Sequence, residues 1–240
     1  MMRPVWVVGL VATLIAACSG TSDPLVGPSN ETVHRASPAP QIAWANKLFV
    51  TDSFPTVARA GQLVVVAVSE RDGERGYPNL RLEVRDRGDH TVQTIQVLNS
   101  NEYEQLAPGG VAGKTLLDRI AAANSELVKL HDLHDLVVMK KLEVQPASDN
   151  ALAHLAIGDG LDVDWGGDHL HIFRHNSDRA VAIRDAKGWQ APPHNACDYP
   201  AFLANAYHVP EITVIVVELA YQSPSDMCGV PSDQLHVVTW

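Results

Sequence analysis

The chain predicts an α+β fold: a mostly antiparallel β-sheet with one main helix packed on it, held by one disulfide. Three observations carry this. Leu80, Leu82 and Val84 alternate with Arg81, Glu83 and Arg85, the period of two that a half-buried strand needs. Leu116, Ile120, Ala123, Leu127 and Leu130 recur at helical spacing, which lines one helix face with apolar side chains. Residues 212–221 are apolar on both alternating faces, as in a strand buried on both sides at the centre of a sheet.

The amino terminus carries a different signal. Met1-Met2-Arg3-Pro4 brings a positive charge, residues 5–17 bring none, and small residues precede Cys18. As a helix that apolar run rises about 20 Å, short of the roughly 30 Å hydrocarbon core. A basic start, a short apolar run and small residues before a cut are the parts of an export signal. With Ile15-Ala16-Ala17-Cys18 as lipobox, the segment resembles a bacterial lipoprotein signal. The resemblance covers the signal alone. It implies cleavage before Cys18 and lipid, including palmitate, on that cysteine. Because Ser19 follows rather than Asp, it also implies sorting to the outer membrane, with the domain facing the periplasm or the surface.

The expected organisation is a signal peptide over 1–17, lipidated Cys18 with a flexible tether over 18–41, and a single β-rich domain over 42–240. Pro24, Pro28, Pro38 and Pro40 stand among Ser, Thr, Gly and Asn without apolar periodicity, which keeps the tether open. A chain of that length spans about 25 Å root-mean-square. A faint echo between the hairpins near Leu80 and Leu170 suggests a further division, into related β units of about 42–135 and 136–240.

Lys plus Arg number 18 against 28 Asp plus Glu, for a formal charge of −10, and cleavage removes Arg3 as well. An acidic surface argues against nucleic acid and against basic-patch adhesion to anionic lipid. The partners expected are the membrane, through the lipid, and a protein of the envelope. Eleven histidines make the charge sensitive to mild acid. Of three cysteines, Cys18 is assigned to lipid. Cys197 and Cys228 are expected to bridge, since exported compartments are oxidising. Closing that loop stabilises by about 3–4 kcal/mol on the chain-entropy model.

In chain order, order begins near Ile42. Residues 63–68 read as a buried strand, and the alternation from Leu80 as a half-buried one. The turn 86–90 returns the chain through residues 91–98. Arg87-Gly88-Asp89 at that turn matches an integrin-binding tripeptide, but Gly and Asp are ordinary hairpin residues. Ser100 or Asn101 is expected to cap a short helix. A longer helix starts near Thr115, with Asp118 completing a capping box, and runs to His134. His131 and His134, one turn apart, suit the helix C-terminus. Strands follow near residues 142–144, 161–165, 169–173 and 180–184. Residues 200–207 read as a short helix, 212–221 as the central strand and 235–240 as the last one.

Catalytic signatures are absent: no G-x-S-x-G, H-E-x-x-H, C-x-x-C or G-x-G-x-x-G occurs. One constellation stands out. A two-residue Gly166-Gly167 turn would set Asp164 opposite His169 and Asp162 opposite His171. Two carboxylates and two imidazoles on one strand face are a donor set for Zn²⁺. The plain reading of Asp162, Asp164, His169 and His171 is a solvated sheet face, with no cofactor. The functional expectation is therefore a membrane-anchored envelope lipoprotein with a binding or structural role. The alternative is a metal-dependent periplasmic hydrolase using that Asp/His hairpin, with Zn²⁺ as its cofactor.

Overall fold

Among the described residues, alternation along short strands builds three larger sheets and one two-stranded hairpin, all with antiparallel pairing. The computed structural model describes residues 37–73, 75–146, 154–189, 197–223 and 228–240. The lipobox, Cys18 and most of the expected tether lie outside the described residues. A small hairpin opens the chain, β1 (Ala43–Ala45) with β2 (Leu48–Val50). Its turn residues Asn46 and Lys47 both have positive φ, 52° and 68°, as primed hairpin turns require. Next come β3 (Thr56–Ala58), β4 (Leu63–Val68), β5 (Leu80–Asp86) and β6 (Thr91–Leu98), then α1 (Tyr103–Leu106), α2 (Lys114–His134) and β7 (Leu136–Val138). The first large sheet has the order β6-β5-β4-β3-β7.

The chain then supplies β8 (Lys140–Lys141), β9 (Glu143–Pro146), β10 (His154–Gly158), β11 (Leu161–Trp165), β12 (His169–Arg174) and β13 (Ala180–Asp185). The second sheet is the meander β13-β12-β11-β10-β9. The last strands are β14 (Ala201–His208), β15 (Val214–Tyr221) and β16 (Gln234–Thr239), in a third sheet of order β16-β15-β14-β8.

Parity along each strand stacks these layers. Val65, Leu82 and Val84 pack with Leu116, Ile120, Ala123 and Leu127 of α2. The opposite face of the first sheet, Val57, Val64 and Val66, packs with Val214, Val216 and Val237. The other face of β15, Ile215, Val217 and Leu219, packs with Val163, Trp165, Leu170 and Ile172 of the second sheet. The order is thus helix, first sheet, third sheet, second sheet. The central strand expected at 212–221 is β15, flanked by β14 and β16, with Val214, Ile215, Val216 and Val217 all buried. Cys197 and Cys228 form the expected bridge, their Cα atoms 6.0 Å apart.

Local details differ from expectation. Residues 200–207 are not helical: Ala201–His208 is β14, paired with β15 on one side and β8 on the other. Ala and Leu rank among the best helix formers, but propensity is a weak determinant that strand partners override. A bulge between Leu203 and Asn205 also hides its period of two. The main helix starts one residue earlier, with Gly113 as N-cap and no side-chain cap. Asp118 instead pairs with Lys114 at 2.6 Å. Asn99, rather than Ser100 or Asn101, caps the short helical stretch, in a capping box with Glu102. Among the described residues, the helical content besides α2 is α1 and three 3₁₀ turns.

Candidate functional site: a charged cleft between two sheets

The Asp/His hairpin forms with a different register. Gly166 N–H donates to His169 C=O at 3.1 Å, and the turn takes in Asp168, so pairing slips by two residues. Asp164 lies opposite His171, and Asp162 opposite Phe173. A slip of two preserves the faces, and Leu161, Val163, Trp165, Leu170 and Ile172 are buried as expected. The cause lies outside the hairpin: Ala186, beyond β13, donates its N–H to Asp168 C=O at 2.8 Å. The polar side chains find separate partners. His169 Nδ1 is 2.6 Å from Asp168, whose carboxyl this contact holds below its usual range. Asp162 meets His175 Nδ1 at 3.2 Å. The rings of His169 and His171 stand 6.3 Å apart, and His171 meets the Phe173 ring edge-on at 6.0 Å. Among the described residues, no group of three or more His, Cys, Asp or Glu is placed to hold a metal ion.

The charged face of β5 is where the fold concentrates polar chemistry. It lies on the side turned to the third sheet, and Glu83 is only 7% exposed. Arg81 Nε donates to Glu83 at 2.6 Å, and Arg85 donates to it from Nη2 at 2.7 Å and Nε at 3.0 Å. Burial alone raises the proton affinity of Glu83, but these two guanidinium groups outweigh it and hold the carboxyl below its usual range. Arg81 also pairs with Glu70.

The turn after β5 reaches across to the third sheet. Arg85 Nη1 donates to Leu235 C=O and meets Asp89 at 3.0 Å. Asp89 accepts from Val237 N–H at 2.8 Å and lies 2.8 Å from His236 Nδ1. The His236 ring stacks on Trp189, centroids 4.1 Å apart and 6° from parallel. β16 is an edge strand, so this contact occupies backbone groups that would otherwise be open to another strand. The Asp of the Arg-Gly-Asp tripeptide is thus held inside the fold.

Beyond this latch the two sheets part around a cleft of about 720 Å³, lined by Glu70, Arg71, Arg81, Glu218, Asp233 and Gln234 among others. The β5 wall carries arginines already engaged by carboxylates. On the opposite wall, Glu218 accepts from Asn205 Nδ2 at 2.6 Å and from Tyr207 Oη at 3.2 Å. Burial and the nearby Glu218 raise the carboxyl of Asp233 above its usual value. Burial and Glu218 also push the Tyr207 phenol up strongly. Burial, with Asp233 adding to it, takes the Tyr221 phenol to about 12. Sequence reasoning read the β5 face as solvated and missed the cleft. The signal was the density of paired charge, three ionic residues on one strand face, without anything to say what covered it.

His131 and His134 have helix-end roles: His131 is buried against the core side of α2, and His134 Nδ1 lies 3.1 Å from the Gln62 amide. Comparison of the chain with protein-family models, with curated proteins and with solved structures finds no match.

Proposed function

We propose that the chain is an exported lipoprotein, anchored through lipid on Cys18 to the outer membrane, whose domain serves binding or structure in the envelope. The observation that carries this is the segment ending in Ile15-Ala16-Ala17-Cys18 after a charged start and an apolar run, followed by a Pro-rich stretch. The Cys197–Cys228 bridge supports an oxidising compartment. The cleft favours binding over catalysis, because Arg81 and Arg85 on its β5 wall are engaged with Glu70, Glu83 and Asp89. A membrane partner through the lipid and a protein partner in the envelope follow from the same address.

Metabolic labelling with palmitate tests the anchor. The wild-type chain should take up label and sediment with outer membranes, and Cys18→Ala should do neither. A wild-type chain that stays unlabelled would overturn the reading.

A further inference from the structure

We propose that β13 pairs with β13 of a second copy of this chain, antiparallel about a two-fold axis at Ala182, so that the second sheets of two molecules join edge to edge. This pairing is independent of the anchor proposed above.

The edge of the second sheet is open. Among the described residues, β13 is its outermost strand. Ala186, just past β13, donates its N–H to Asp168 C=O at 2.8 Å. In the same register His169 lies opposite Asp185, Leu170 opposite Arg184, His171 opposite Ile183 and Ile172 opposite Ala182. Opposed residues of an antiparallel pair alternate between hydrogen-bonded and open. Arg184 and Ala182 therefore turn their backbone groups to β12, while Ile183 and Asp185 turn theirs outward. The register shift between Ile172 and Phe173 passes over Val181, which faces no β12 residue. Apolar side chains accompany these outward groups: Val181 is 36% exposed and Ile183 60%. Such an edge is a template for another strand.

Charge complementarity selects a second copy as the occupant. In a pairing centred on Ala182, Val181 opposes the partner's Ile183, and Ile183 opposes the partner's Val181. Both residues bond outward, so each such pair exchanges N–H and C=O groups, and the exposed apolar side chains cover one another. Arg179, just before the strand, comes beside the partner's Asp185, and Asp185 beside the partner's Arg179. Both are exposed. Among the described residues Arg179 makes no ion pair, and the Asp185 carboxylate accepts only the Lys187 N–H, at 3.0 Å. The other edges lack this match. Arg85 and Asp89 already hold β16. β7 and β8 have three and two residues, and β9 ends in Pro146, which has no N–H to donate. β6 is exposed but has no charged residue to fix one register. A contact along one strand edge falls below the roughly 1,200 Å² at which standard interfaces begin. The dimer is therefore weak and favoured by high local concentration.

Cysteine cross-linking of the purified full-length chain in detergent tests this. Ala182 meets its own counterpart at an open pair, where Cα atoms stand about 4.5 Å apart, within disulfide reach. Ala182→Cys should therefore give a linked dimer on mild oxidation with copper phenanthroline. Ala180→Cys should not, because its counterpart is displaced by about 13 Å along the strands. Arg179→Asp added to Ala182→Cys sets like charges side by side and should lower the linked fraction about fivefold. Adding Asp185→Arg to that pair of changes should restore it. Sedimentation equilibrium of the wild type, of Arg179→Asp and of Arg179→Asp with Asp185→Arg is the second measurement, should Ala182→Cys fail to fold. It should show dimer, loss of dimer and recovery, in that order. Equal linking through Ala180 and Ala182, a wild type that stays monomeric at high concentration, or a charge exchange that restores nothing would overturn the proposal.

Discussion

Two strand faces in this molecule have the same sequence signature and opposite fates. Arg81, Glu83 and Arg85 alternate with core residues on β5; Asp162 and Asp164 on β11, with His169 and His171 on β12, do the same. The β5 face lies under a neighbouring sheet, with Glu83 7% exposed and Arg85 bonded to β16. The β11–β12 face is the outer side of the last layer, where Asp168 and His169 side chains are 54% and 43% exposed. Alternation therefore sorts inward from outward within a strand but leaves open whether the polar side meets water or another sheet. A covered polar face must satisfy its charges internally; an open one leaves that to water.

The largest expected effect falls where the same inter-sheet gap is apolar. Val216 is fully buried between Val57, Val64 and Val237. Val216→Asp places an unpaired charge there, and we expect a loss of more than about 4 kcal/mol, seen as failure to fold in circular dichroism. A cooperative melt near the wild-type midpoint would show that this gap is loosely packed.

At the charged end of the gap, Glu83→Gln leaves Arg81 and Arg85 half-paired in a covered site. A cost of about 3 kcal/mol in urea unfolding at pH 7 is expected for breaking a buried pair from one side. The sign with pH follows from the lowered carboxyl. Its contribution is present above the unfolded-state value and lost as pH falls through the lower folded value. The gap between wild type and variant should thus close in acid; a gap that widens there would contradict the pairing.

Asp89→Ala removes the acceptor of Val237 N–H and the partner of Arg85 and His236. We expect about 1–3 kcal/mol for a buried donor left unsatisfied, together with faster hydrogen exchange along β16. Exchange rates at Val237 that match the wild type would mean the latch does not hold the edge.

The open face should barely respond. Asp164→Asn with His171→Ala is expected to change stability by less than about 0.5 kcal/mol, as for exposed polar groups generally. Added Zn²⁺ should leave the melting midpoint where EDTA leaves it. A zinc-dependent rise abolished by His169→Ala with His171→Ala would mean that these side chains converge in solution, and would restore the hydrolase alternative.

The sequence by itself determined the local periods. The strand at Leu63–Val68, the stripe Leu116 to Leu127 and the doubly apolar run at β15 were legible because side-chain direction repeats every 2 or 3.6 residues. The Cys197–Cys228 bridge was legible from compartment and count. What tertiary structure decided was everything that depends on a partner distant in sequence. β14 became a strand because β8 and β15 lie beside it, against its helical propensity. The β11–β12 register moved by two because Ala186 holds Asp168. The cleft exists because residues near Arg81 and residues near Glu218, far apart in the chain, come to face one another. Periodicity is a property of one segment, whereas a site between sheets is a property of which segments meet, and only the packed layers specify that.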